Sequence, residues 1–113
     1  MKFSKSPAWL VQLFKALQPE VGGTPRQMFG YPCAFENGQL FTGLFADGLF
    51  VRLGVGASVP GGKPFAPMEG RPMKEYVVLP AEMLEDEDAV KSWMHRALEY
   101  ARSLPAKKKK RKG

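Results

Sequence analysis

Apolar segments run along residues 28–53, MFGYPCAFENGQLFTGLFADGLFVRL, and two short pairs, Asn37-Gly38 and Asp47-Gly48, separate them. Both pairs consist of residues that tolerate the positive φ of a two-residue hairpin turn. The spacing predicts a three-strand antiparallel meander over residues 31–36, 39–46 and 49–53. Two-residue turns fix the register, and the register sorts side chains into two faces. Tyr31, Cys33, Phe35, Leu40, Thr42, Leu44, Ala46, Leu49, Val51 and Leu53 fall on a core face. Pro32, Ala34, Glu36, Gln39, Phe41, Gly43, Phe45, Phe50 and Arg52 fall on the other. Phe41, Phe45 and Phe50 are too many rings for a sheet face open to water, so another element or a partner is expected to cover them.

Helical spacing flanks the meander. Ser6-Pro7 reads as an N-cap followed by a first-turn proline. Trp9, Leu10, Leu13, Phe14 and Leu17 follow at intervals of three and four, and Pro19 is expected to end the helix. Residues 26–29 read as a short strand and Gly30 as a bend. Residues 54–67, rich in Gly and Pro, read as a loop. Residues 76–79 read as a further strand and 81–84 as one helical turn. Asp86 is a candidate N-cap for a second, longer helix carrying the stripe Val90, Trp93, Met94, Ala97, Leu98, Ala101 and Leu104, closed by Pro105. Trp93 is expected to anchor that helix to the sheet. The order predicts an α+β fold: an antiparallel sheet built on a three-strand meander, flanked by an N-terminal and a longer C-terminal helix. Residues 1–105 read as one domain and 106–113 as a flexible basic tail.

Composition narrows the class. At 113 residues, 44% hydrophobic, the chain can bury a single core without disulfide or metal. One cysteine allows no internal disulfide and suits a reducing compartment. Residues 9–17 are apolar but broken by Gln12 and Lys15, so neither signal peptide nor membrane span is expected and the chain reads as cytoplasmic. The net charge is +6, and Lys107, Lys108, Lys109, Lys110, Arg111 and Lys112 supply six cations. Removing those six from 17 basic residues leaves 11, against 11 acidic ones. The body is balanced and the basic character sits in the tail, which reads either as a solubilising end or as a contact for nucleic-acid phosphates.

No residue set dictates a reaction. Cys33 falls on the core face, far from the sole histidine, His95, and reads as an inert thiol. One Cys and one His cannot build a structural zinc site. Residues 85–88 (EDED) read as helix-capping acids rather than a cation site. Gly54 and Gly56 follow a strand but lack the lysine and the helix of a phosphate loop. Arg71 and Lys74 beside Tyr76 read as sheet-edge charges with anion-binding potential. Phe41, Phe45, Phe50 and Arg52 form a candidate protein-contact or nucleic-acid stacking surface, with packing the favoured reading. Catalytic, cofactor-binding and metal-binding residues are all expected to be absent, and no cofactor is expected.

Several blocks carry a family resemblance: MFGYP at 28–32, Asn37-Gly38 with Phe41 and Gly43-Leu44, FAPM at 65–68, GRPMKEYVVLP at 70–80, Trp93, ALEYA at 97–101 and SLP at 103–105. Together they resemble the TfoX/Sxy N-terminal domain family along nearly the whole chain. The resemblance implies a compact α+β domain of a single-domain member lacking a C-terminal domain. It also implies a non-enzymatic regulator or adaptor related to competence and transcription co-regulators. Partners implied are a protein of the transcription machinery and nucleic acid through the tail, with no membrane; the chain is a monomer or homodimer. Two other readings stay open: a nucleic-acid module using the aromatic sheet face, and a small-molecule-binding protein or enzyme.

Overall fold

The structure, a computed structural model, describes residues 5–68 and 71–105, without the side chains of residues 67, 68, 71 and 72. Helix α1 (Ala8–Val21) leads into β1 (Thr24–Met28), β2 (Tyr31–Glu36), β3 (Gln39–Phe45) and β4 (Gly48–Arg52). Then come β5 (Lys63–Met68), β6 (Arg71–Val78), a 3₁₀ helix (Ala81–Glu85) and α2 (Glu87–Ser103). The strands form one antiparallel sheet in the order β1-β2-β3-β4-β6-β5. The fold is the expected α+β, with a longer C-terminal helix. The tail residues Lys107 to Lys112 lie outside the described residues.

Five local expectations need correction. Residues 24–28 form a full strand, and Phe29-Gly30, at φ 58° and 82°, close a hairpin onto β2. The second meander turn lies on Ala46-Asp47, not Asp47-Gly48, because Phe45 pairs with Gly48. The Gly/Pro stretch holds β5; its Pro64 and Pro67 are tolerated because β5 is an edge strand, paired on one side only. Pro19 lies inside the last turn of α1 rather than ending it. It forfeits one bond, to the carbonyl of the exposed Lys15, which water can satisfy. The helix ends at Gly22, where the buried Gln18 side chain donates to the carbonyls of Gly22 (3.0 Å) and Gly23 (3.3 Å). Ser6 does not cap α1; its hydroxyl donates to the carbonyl of Ala46 instead.

The largest correction is a β-bulge. Phe35 pairs with Leu40 as expected, but Ala34 pairs with Thr42 and Cys33 with Gly43, so Phe41 is an extra residue in β3. One inserted residue reverses the alternation beyond it. Phe41 therefore joins Ala34, Leu44, Leu49 and Val51 in the core beneath both helices. There it packs with Leu10, Phe14 and Leu17 of α1 and with Val90, Met94, Ala97, Leu98 and Ala101 of α2. Asp86 caps α2 as expected, accepting from the Ala89 N–H at 3.2 Å. Trp93 is half-buried at the rim, with Arg96 4.9 Å from its ring; Met94 takes the central position.

The sheet is rolled. Phe50 of β4 stacks on Phe65 of β5 with ring centroids 4.3 Å apart, and Phe45 of β3 meets Phe65 at 5.6 Å. In a flat sheet β3 and β5 would lie about 14 Å apart, three strand spacings. Phe50 alternates with Leu49 and Val51, so this aromatic cluster fills the face away from the helices. It adds Tyr76 (5.7 Å from Phe50) and Tyr31 (5.2 Å from Phe45). The expectation that the outer rings are covered holds for Phe41 and Phe50, both essentially without solvent contact. The cover differs from one ring to the other: the helices shield Phe41, and the chain's own β5 shields Phe50. Phe45 is half-buried.

Candidate functional site

Past the aromatic cluster, the rolled face opens into a groove of about 680 Å³. Met28, Phe35, Leu40, Val55, Met73 and Tyr76 line it. The first three come from β1, β2 and β3, the last two from β6, and Val55 from the loop after β4. Val55 is exposed and the other five are half-exposed, so the groove offers continuous apolar surface to solvent. The bulge creates it: with Phe41 turned toward the helices, Leu40 comes to line the groove together with its partner Phe35.

Arg52 stands at the groove wall and is fully engaged within the chain. Its Nε donates to Glu75 Oε1 at 2.6 Å and its Nη1 to Gln39 Oε1 at 2.9 Å. Its guanidinium lies 5.4 Å from the Tyr76 ring and 5.8 Å from the Tyr100 ring. The Tyr76 hydroxyl donates to the carbonyl of Leu40 at 3.2 Å, and burial, the leading cause, raises its pKa. Gln39 uses its other end to hold the chain two residues past α2: Nε2 donates to the carbonyl of Pro105 at 2.9 Å. Arg102 of α2 reaches Glu36 of β2 at 3.0 Å beside it. Pro105 therefore lies beside the groove rim.

The remaining candidates separate from this groove. Phe41 and Phe50 are interior, so Phe41, Phe45, Phe50 and Arg52 do not assemble into one open stacking surface. Cys33 is buried, and burial pushes its thiol pKa up, which keeps it protonated. His95 is exposed on α2, away from Cys33. Residues 85–88 are exposed, and within them Asp86 serves as the cap. Gly54, at φ 105°, is explained by contact: a Cβ there would lie 3.0 Å from the Tyr100 ring. Lys74 is exposed and lines the groove; the side chain of Arg71 lies outside the described residues. Sequence reasoning missed Met28, Phe35, Leu40 and Met73 as a group. Their meeting depends on the bulge and the roll, and neither has a marker residue in the chain.

Among the described residues, no helix is long and apolar enough to cross a membrane. Neither the curated proteins nor the solved structures yield a match to this chain. The family model of the TfoX N-terminal domain does match, over residues 15–101 of 113, from the middle of α1 to the last turn of α2. That span contains the whole sheet, the bulge and the groove, and the chain belongs to the TfoX N-terminal domain family.

Proposed function

We propose that this chain is a cytoplasmic regulatory domain that works by binding other proteins and catalyses no reaction. The apolar groove carries the reading. Half-exposed Met28, Phe35, Leu40 and Met73, joined by exposed Val55, are a costly surface to leave in water and mark a contact site. The sheet edges support side-chain docking over strand addition. Edge strand β1 contains Pro25, and edge strand β5 contains Pro64 and Pro67, so each edge lacks the backbone donors of its prolines. Family membership supports a regulatory role of the kind the sequence blocks imply, alongside transcription proteins.

A second reading concerns the tail. The six cations of residues 107–112 equal the net charge of +6, and such a run attracts phosphates without regard to sequence. The two readings are compatible: the groove selects a protein and the tail adds affinity for nucleic acid. Cross-linking in host cells tests the first. Proteins captured by the parent chain should be lost with Leu40→Asp and kept with Lys15→Glu, which alters an exposed residue of α1. Capture that survives Leu40→Asp in a folded variant would remove the groove from the function.

A further inference from the structure

The methionines whose side chains the structure describes fall into two pairs. Met94 has no solvent contact within the shared core, and Met83 packs against that core. Met28 of β1 and Met73 of β6 lie outside the core, half-exposed, and both line the groove. Strands β2, β3 and β4 separate β1 from β6 in the sheet, and the roll brings the two thioethers to one surface. Cys33, the one cysteine, is protected: it is buried, and burial keeps its thiol protonated. A polar oxidant in water therefore meets the groove thioethers before the sulfur of the core.

We infer that the groove is a modification site, where a hydroperoxide oxidises Met28 and Met73 to sulfoxides and turns the surface from apolar to polar. In each step a sulfur lone pair attacks the terminal peroxide oxygen, the S–O bond forms and the O–O bond breaks. Sulfur loses two electrons. The departing oxygen takes the electron pair of the broken bond and the proton of the transferred hydroxyl, and leaves as water or an alcohol. A thiol-dependent sulfoxide reductase reverses the change. Each sulfoxide places a polar oxygen where an apolar guest is seated, and seating the guest then strips that oxygen of water. Neither residue belongs to the core, so the fold persists while its surface changes. The inference rests on the protein-binding reading above and adds its regulation: oxidation releases the partner and reduction readmits it.

A limited dose of hydrogen peroxide, given to the purified full chain and then removed, tests it with peptide mapping by mass spectrometry. Met28 and Met73 should gain oxygen before Met83 and Met94, with the melting temperature little changed. The probe for the groove is anilinonaphthalene sulfonate, which fluoresces on exposed apolar surface. Its affinity should fall about tenfold with Leu40→Asp, checked for folding by melting, and about tenfold on oxidation of the parent. Methionine sulfoxide reductase, which does not act on oxidised cysteine, should restore it. Met28→Leu with Met73→Leu should show one dye affinity before and after peroxide. Oxidation of Met83 or Met94 first would overturn the inference. So would dye affinity that ignores Leu40→Asp, or that survives oxidation of both groove methionines. Cellular capture separates this inference from the reading beneath it. Capture that survives Leu40→Asp, beside dye binding that oxidation weakens, removes the protein-binding reading and leaves the modification site standing. Capture lost with Leu40→Asp but kept by the oxidised chain removes the switch alone.

Discussion

Gly43 sits in β3 between its strand partners Cys33 of β2 and Phe50 of β4. A Cβ there would lie 2.7 Å from Cys33 Cβ and 3.0 Å from Phe50 Cζ. The neighbours are buried and cannot swing aside, so Gly43→Ala should destabilise by about 1–3 kcal/mol through overpacking. At about 4–8 °C per kcal/mol for a domain of this size, the loss is readable in a melting curve. An unchanged Tm would mean that the rolled face is looser than described. Ala46 offers the opposite sign. It holds φ 54° as the first turn residue between β3 and β4, where an L side chain is strained. Ala46→Gly should stabilise by about 0.5–1 kcal/mol, since Gly adopts that conformation without the Cβ clash. The hydrogen bond from Ser6 goes to the backbone carbonyl and survives the change.

At the scale of elements, α2 is held by Met94 more than by Trp93. Met94 has no solvent contact in the shared core, whereas Trp93 is half-buried at the rim. Met94→Ala should cost about 2–5 kcal/mol. Trp93→Ala should cost less, and melting both variants side by side decides the order. The two helices are also tied together, Lys91 Nζ donating to Glu20 Oε1 at 2.8 Å. That bond lowers the Glu20 pKa below its ordinary 4.5 and raises that of Lys91 above 10.5. A depressed carboxyl pKa stabilises the fold above the unfolded value and loses that contribution as pH falls through the folded one. The raised lysine contributes below its unfolded value and loses it as pH rises through the folded one. Melting temperatures of the parent and Glu20→Gln should therefore differ slightly at neutral pH and converge below about pH 4.5. Both groups are exposed, so the difference should also shrink with added salt.

At the scale of the whole molecule, charge and shape are divided between body and tail. A body with balanced charge leaves residues 107–112 as the source of any sequence-independent affinity for duplex DNA. Six released counterions give a log–log salt slope no steeper than about −5. Filter binding at two salt concentrations, with the full chain and with a chain ending at Leu104, measures it. The full chain should bind more tightly at low salt and lose that advantage as salt rises. Equal affinity and equal slope would take the tail out of nucleic-acid binding.

The sequence by itself determined the elements whose signals are local. Asn37-Gly38 could only be a turn, and its flanking pairs Glu36–Gln39 and Phe35–Leu40 followed from a two-residue loop. Asp86 was legible as a cap because capping needs one oxygen at one position, and the α2 stripe because its period belongs to the chain. Tertiary structure decided what depends on residues distant in sequence. The bulge at Phe41 forms because a large ring gains more under α1 and α2 than on the opposite face, and no residue of β3 announces it. The strand in the Gly/Pro stretch exists because Phe65 finds Phe50 to stack on, an attraction that outweighs the poor strand propensity around Pro64 and Pro67. The groove depends on both. Its residues belong to five strands, the turn between β2 and β3 and the loop after β4, and only the rolled sheet brings their side chains to one surface.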